Sequence, residues 1–558
     1  MLTREGAGPA TTQLSTAELE PSHGLGAEEA DSPTVGGERG YIRVMLTEAD
    51  GSSLVNDRAR LLHARDLNND PLPQAIIRAD GRVRVALAGE PIQVVCRLKI
   101  PGFGETYVYA DNDGKGYRKP AQIDFVVDAA QTRLRRVREA VRSAKPLGIP
   151  SDAKLDWHLF AAARPLPSEP GYARTAAAYE SLAHSMHAGE IFALGAARRR
   201  IARLGEPRKD FGFGVMISKH GQNPAYDEAV SKAFNFATGA WYTWKGEESP
   251  YVDYARMDGS IDWCLAKGIT PKSFGYCYMS RGATPEWIRP TEIPAATNPS
   301  GGDPTDARRE YNPKWPYARL KKLYEAVNRQ TCKHFLDKYG DKVPHVEILN
   351  EAHDKANLWQ MDHAQIIEMA KGVSIAARQG HPTIKRMFNH CCQWGEYAVR
   401  RNSDGSRRWS PLMFAKDCID NGVEFETLGL QLYYPQYDVF EIDRMLQRHF
   451  ALGKPIHITE MSTHAKAGFD LESMRPKTVS APWHGEAWSE SIQADWLEAM
   501  YTLCYSHRQI EAAQWWDLAD AGGHFWPHGG LLNKDFTPKE SYGRLLKIQK
   551  EWGVARPA

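Results

Sequence analysis

A chain of 558 residues exceeds what one hydrophobic core fills, so more than one domain is expected. With 42% hydrophobic and 25% charged residues it falls outside the disordered, fibrous and membrane classes. Lysine and arginine (70) nearly cancel aspartate and glutamate (69), which leaves no net field to draw the protein onto nucleic acid or an anionic membrane.

Residues 1–39 are rich in Gly, Ala, Ser, Thr, Pro and Glu without apolar periodicity, which predicts a disordered leader. They hold no apolar stretch of the kind a secretory signal needs, and no run elsewhere is long and uncharged enough to span a bilayer. Export then calls for a different start or an unconventional route. Across 40–120, the runs YIRVML, QAIIRA, VRVALA, IQVVCRLKI and ETYVYAD are separated by the turn strings EADGSS, DLNNDP, ADGR and DNDGKG, the layout of a small antiparallel β-sandwich. Asp111, Asn112 and Asp113 before Gly114 offer oxygen ligands suited to calcium, but a hairpin turn uses the same residues and is the preferred reading. Helix formers dominate 121–207, in AAQTRLRRVREAVRSA and RTAAAYESLAHSMHAGEIFALGAARRRIARLG, which predicts a mostly helical connector.

From 208 to 558, short apolar runs alternate with longer amphipathic stretches, the order of a parallel sheet covered by helices. Eight strand candidates follow in turn: FGFGVMIS, AFNFAT with the run to WYTWK, SFGYCYM, HVEILNE, RMFNHCC, TLGLQLYY, PIHITEM and AAQWWDL. Between them lie helices such as YARLKKLYEAVNRQTCKHFLDKYG. Eight such units predict a closed (β/α)8 barrel. The eight cysteines are scattered without a C-x-x-C pair. Cys391-Cys392 beside His390 lacks a second cluster to complete a tetrahedral site, so no metal and no cofactor is expected.

In such a barrel the residues closing each strand face the substrate. Two strands close in glutamate, the fourth at Asn350-Glu351 and the seventh at Glu460. Glycosidic cleavage uses such a pair, because the leaving oxygen must be protonated while the oxocarbenium-like centre needs an anion on its other face. Carboxyls about 5 to 5.5 Å apart give a covalent intermediate and retention. The 16 tryptophans and 23 tyrosines suit stacking on sugar rings, although a large core also consumes them. The partner expected is therefore an oligo- or polysaccharide.

These motifs resemble glycoside hydrolase family 10, the endo-β-1,4-xylanase family. LNEA at 349–352 is similar to its acid/base motif and ITEM at 458–461 to its nucleophile motif. ATPEWI after the third strand, GLQ at 429–431 and the C-terminal QWWDLADAGG...GGLLNKDFTPKESY also agree in order. The resemblance covers roughly residues 209–552. It implies that Glu351 is the acid/base, Glu460 the nucleophile and Asn350 a ligand of the sugar 2-hydroxyl. Trp516 would wall a subsite, Gln431 would lie close to Glu460, and Lys245 would stand in for a displaced lysine. Other positions depart from the family. Ala240-Trp241-Tyr242-Thr243-Trp244-Lys245 replaces a Glu-Asn...Lys-Trp stretch, Tyr276, Ser280 and Arg281 stand where His, Trp and His are usual, and Tyr433 replaces the histidine beside the nucleophile. A phenol still donates a hydrogen bond to Glu460. The expectation is a retaining hydrolase of a β-linked, xylan-like plant polysaccharide. A carbohydrate-binding pseudoenzyme, or a β-glycosidase or transglycosylase with another substrate, is the alternative, and the sandwich is either a carbohydrate-binding module or a structural cap.

Overall fold

The computed structural model of the protein describes residues 40–54, 61–74, 76–79, 82–149, 152–274, 277–292, 309–353, 358–359, 361–399, 401–402, 405–433, 437–485 and 487–556. The expected leader and Tyr276 lie outside them. No helix among the described residues is long and apolar enough to cross a membrane.

Eight strands build the N-terminal β region: β1 (Tyr41–Met45), β2 (His63–Asp66), β3 (Pro71–Leu72), β4 (Ile76–Ala79), β5 (Arg82–Ala86), β6 (Ile92–Ile100), β7 (Gly104–Ala110) and β8 (Ala121–Asp124). They form two four-stranded sheets, ordered β4-β5-β1-β8 and β3-β2-β6-β7. In β1 the burial alternates with period two, sending Ile42 and Val44 inward. The sheets are not wholly antiparallel, because β8 returns alongside β1 in parallel register and extends the β region to Asp124. The turn at 111–114 is closed by Asp111 itself. Its carboxylate accepts from Gly114 N at 2.9 Å and pairs with Arg135 at 2.6 Å and Arg136 at 3.0 Å. Those partners hold the carboxylate below the usual range against its burial and anchor the turn to the next helix. Three helices follow, α1 (Phe125–Ser143), α2 (Ala153–Ala162) and α3 (Tyr172–Ala202).

The rest is a (β/α)8 barrel. Its strands are β9 (Gly212–Met216), β10 (Phe236–Thr238), β13 (Thr270–Ser273), β16 (His345–Asn350), β17 (Lys385–His390), β18 (Thr427–Leu432), β19 (Ile456–Met461) and β20 (Ile510–Asp517). They close in the order β10-β13-β16-β17-β18-β19-β20-β9. The covering helices are α4 (Pro224–Ala233), α5 (Ala255–Ala266), α6 (Tyr317–Tyr339), α7 (His363–Gly380), α8 (Pro411–Asp420), α9 (Val439–Phe450), α10 (Glu490–Ser506) and α11 (Glu540–Glu551). Two small two-stranded antiparallel sheets sit outside the barrel, β11 (Thr243–Trp244) with β12 (Val252–Asp253) and β14 (Thr291–Glu292) with β15 (Arg309–Glu310). Strands β16, β18 and β19 are buried at every position, as parallel strands covered on both faces must be.

Two strands differ from expectation. The second barrel strand stops at Thr238, and the run to Lys245 leaves it for the β11 hairpin. The third is the polar Thr270-Pro271-Lys272-Ser273 rather than SFGYCYM, of which Tyr278 makes only an isolated bridge to Asn350.

The N-terminal elements pack against the loops that follow the fifth, sixth and seventh barrel strands. Tyr107 of β7 stacks on Tyr437, with centroids 5.0 Å apart, and Tyr437 stacks on Trp394 at 3.9 Å. Arg65 donates to the Trp394 carbonyl at 2.7 Å, and Trp483 donates to Glu190 of α3 at 2.9 Å. All eight cysteines are free thiols, and all but Cys392 are buried.

Candidate active site

Glu351 immediately follows β16 and Glu460 is the fifth residue of β19, so the barrel brings them to one end and buries both. Glu351 carries a φ of 51°, the left-handed region that disfavours side chains. A strained non-glycine backbone costs of order 1–3 kcal/mol and marks a position the surroundings dictate. Here the backbone N–H of Glu351 donates to the Asn389 carbonyl at 2.9 Å, which fixes the sharp turn off the strand.

Each carboxylate has its own donors. Tyr278 donates to Glu351 Oε2 at 2.9 Å and Gln431 to Oε1 at 2.7 Å. Glu460 accepts a short hydrogen bond from the Tyr433 hydroxyl at Oε2 and one from Asn389 at Oε1, at 3.3 Å. Asn389 Nδ2 also reaches Asn350 Oδ1 at 3.0 Å, and its own carbonyl accepts from Thr459 at 2.6 Å. This amide links the fourth, fifth and seventh strands. Gly429 makes room for it, since a Cβ there would lie 2.6 Å from Asn389 Oδ1. Deeper in the barrel, Lys272 pairs with Glu347 at 2.8 Å with both side chains buried. Burial, together with the charges of Glu351 and Glu347, pushes the Glu460 carboxyl well above the usual range, while the Tyr433 hydrogen bond and Lys272 act in the other direction.

Aromatic rings line the same end. Trp241 meets Phe274 at 5.3 Å and Tyr278 at 5.9 Å, Phe274 meets Trp516 at 5.5 Å, and Trp516 meets Tyr433 edge-on at 6.3 Å. Tyr433 stacks on Trp526 at 5.5 Å. The loop carrying Trp526 is held by Asp517, whose carboxylate accepts from the N–H groups of Phe525 and Trp526 at 2.9 Å each. Trp515 points the other way, onto Trp496 of α10.

Six of the seven residues singled out from sequence converge here: Glu351, Glu460, Asn350, Gln431, Tyr433 and Trp516. Gln431 pairs with Glu460 in strand register, yet its amide serves Glu351. Lys245 is not brought in. It sits half-exposed on the β11 hairpin and pairs with Asp253 at 3.5 Å. Tyr242 and Trp244 pack with each other at 5.5 Å on the outer core, which leaves Trp241 as the ring of that stretch facing the carboxylates. Tyr278 and Asn389 went unnoticed in the sequence. Asn389 nears the end of the fifth strand as Asn350 ends the fourth, and that placement was its signal.

A (β/α)8 barrel with two buried carboxyls, one just past its fourth strand and one on its seventh, each held by separate donors, is the scaffold of a glycoside hydrolase. Residues 206–548 match the sequence model of glycosyl hydrolase family 10, and the chain belongs to that family. Similar solved structures include a psychrophilic family 10 endo-β-1,4-xylanase (17% identity, TM-score 0.43, covering 60% of this chain and 96% of that one). They also include xylanase 10B from Thermotoga maritima (16%, 0.44, 62% and 97%) and the intracellular xylanase of Thermoanaerobacterium saccharolyticum JW/SL-YS485 (16%, 0.44, 60% and 95%). No curated protein matches the chain.

Proposed function

We propose that the protein is a retaining β-glycanase that cleaves a xylan-like β-linked polysaccharide through a covalent glycosyl-enzyme intermediate. The observation that carries this reading is the pair of buried carboxyls held by separate donors, Tyr278 and Gln431 on Glu351 and Tyr433 and Asn389 on Glu460. Glu351 protonates the leaving oxygen and later deprotonates the incoming water, while Glu460 attacks the anomeric carbon. The carbonyl of Asn350 is taken by Asn389, so its amide hydrogens serve a sugar hydroxyl. Trp241 carries a buried indole N–H with no partner among the described residues, beside a ring surface suited to stacking. Xylan is the family's default. The displaced Lys245 and the new Trp241 favour a substituted or related glycan over plain xylan.

The test is hydrolysis of xylan, arabinoxylan, mixed-linkage glucan and aryl β-glycosides by the wild type and Glu460→Ala. Product formation on at least one substrate, lost in the variant, is expected. Tight glycan binding without any variant-sensitive hydrolysis would replace this reading with the binding-protein one.

Tyr433→Phe tests the electrostatics. The phenol favours the Glu460 anion, so its loss makes ionisation harder and moves the acidic limb of kcat/KM to higher pH. A loss of roughly tenfold on the acid side of the optimum is expected, the order of one hydrogen bond to a charged group. A pH profile measured on an aryl β-glycoside reports it, and an acidic limb that stays in place contradicts the pairing.

A further inference from the structure

At the end of the barrel opposite Glu351 and Glu460, three side chains that could ligate a metal meet. His345 is the first residue of β16, His457 the second of β19 and Glu511 the second of β20. Their ligand atoms all lie within 4.8 Å of one another. Glu511 Oε2 stands 3.5 Å from His457 Nε2 and 3.9 Å from His345 Nε2, and the two imidazole centroids are 4.5 Å apart.

Two further features set this group apart from an ordinary polar cluster. The His457 side chain is only 2% exposed and that of His345 11%, yet none of their four nitrogens makes a hydrogen bond among the described residues. Such orphaned donors and acceptors are costly in a folded protein. Glu511 is also the extra residue of a bulge: Ile456 pairs with Ile510 and His457 with Ala512, so Glu511 has no partner in register. Bulges re-aim a side chain, and this one reaches the histidines.

We propose that His345, His457 and Glu511 bind one divalent transition-metal ion, zinc by the character of the donors, which ties the fourth, seventh and eighth strands together at the base of the barrel. Two imidazoles and a carboxylate form a zinc-type donor set, and the partly exposed Glu511 leaves a path to solvent and a fourth position for water. Tetrahedral zinc with ligands at about 2.0–2.2 Å puts ligand atoms about 3.4 Å apart, so the observed separations close with side-chain adjustment. Burial keeps both imidazoles neutral, the form that ligates, and the contact with His457 helps keep Glu511 ionised. Lys385 lies 3.7 Å from Glu511 but is half-exposed and free to swing away, while the charge of Lys272 is met by Glu347. Phe236 packs edge-on against both rings, at 6.2 and 5.6 Å, and limits their movement.

The full chain, stripped with EDTA, is titrated with zinc chloride by calorimetry, and its thermal unfolding is followed with and without the ion. One zinc per chain and a raised melting temperature are expected. His457→Gln and the surface-accessible Glu511→Gln should each weaken binding at least tenfold, and cobalt(II) should give a four-coordinate visible spectrum that Glu511→Gln abolishes. His184→Ala, in the separate group where His158 and His184 meet at 3.0 Å, should leave binding unchanged. No uptake at micromolar zinc, uptake indifferent to Glu511→Gln and His457→Gln, or uptake lost in His184→Ala would each overturn the assignment.

Discussion

Glu460→Gly is expected to lower kcat on an activated aryl β-glycoside by ~10⁴-fold or more, and sodium azide to restore turnover with release of a glycosyl azide of inverted configuration. A factor of that size is about 5.4 kcal/mol of barrier, far more than a lost hydrogen bond supplies, because the covalent route itself is removed. Glycine leaves a space beside Tyr433 and Asn389 that an anion can fill. Attack from there, on the face where Glu460 stood, inverts the anomeric centre once. Glu351→Gly should behave differently. An aryl leaving group needs little protonation, so the glycosyl-enzyme still forms, and azide then captures it with net retention. The configuration of the azide product, read by proton NMR, therefore separates the two roles. Inversion at Glu351→Gly and retention at Glu460→Gly would exchange the assignments, and the absence of rescue at both would remove the covalent mechanism. Circular dichroism of each variant shows that the fold survives.

The barrel was legible because parallel strands buried on both faces read as apolar runs, and HVEILN, TLGLQL and IHITEM each stand where such a run predicts. The third strand escaped for the opposite reason. Thr270-Pro271-Lys272-Ser273 is polar because Lys272 points inward to a buried partner, Glu347, which lies 75 positions further along and which no local pattern reveals. The apolar SFGYCYM then drew the reading past the strand's end at Ser273, and it hid Tyr278 as a strand residue when its phenol in fact meets Glu351. The parallel pairing of β8 with β1 joins segments some 80 residues apart and was equally invisible. In the site, the strand-end glutamates announced themselves by position. Of their donors, Tyr433 was legible and Gln431 was legible only as a neighbour of the wrong glutamate, while Tyr278 and Asn389 acquire meaning only once the closed barrel brings distant segments around one point.

The brace between α1 and the barrel should be as costly to break as any structural contact in the molecule. Arg133 donates to Asp438 at 2.6 Å and to Glu441 at 3.3 Å, with all three side chains buried. Gly189 in the middle of α3 is explained by the same contact, since a Cβ there would lie 2.4 Å from the guanidinium. Arg133→Met leaves Asp438 without its buried cation, while Glu441 keeps Arg444 at 3.4 Å and Arg136 at 3.8 Å, and a destabilisation of about 3–5 kcal/mol is expected in urea unfolding at neutral pH. The sign of its pH dependence follows from Asp438. Burial raises that carboxyl to about 6 even with Arg133 pulling it down, whereas in the unfolded chain it titrates near an ordinary aspartate. The folded state therefore prefers the protonated form, and ionisation costs stability as pH rises from the ordinary carboxylate range through 6. Without Arg133 that preference strengthens, so the deficit of the variant should shrink toward pH 5 and reach its full size above neutrality. A deficit equal at both ends would mean that lost packing over Phe440, 4.5 Å from the guanidinium, outweighs charge. Asp438 also caps α9, accepting from Phe440 N at 3.0 Å, and follows Tyr437 at the rim that carries Tyr433. Hydrolytic activity should accordingly fall in Arg133→Met at temperatures where the variant remains folded, and fall least at the acid end where Asp438 is neutral.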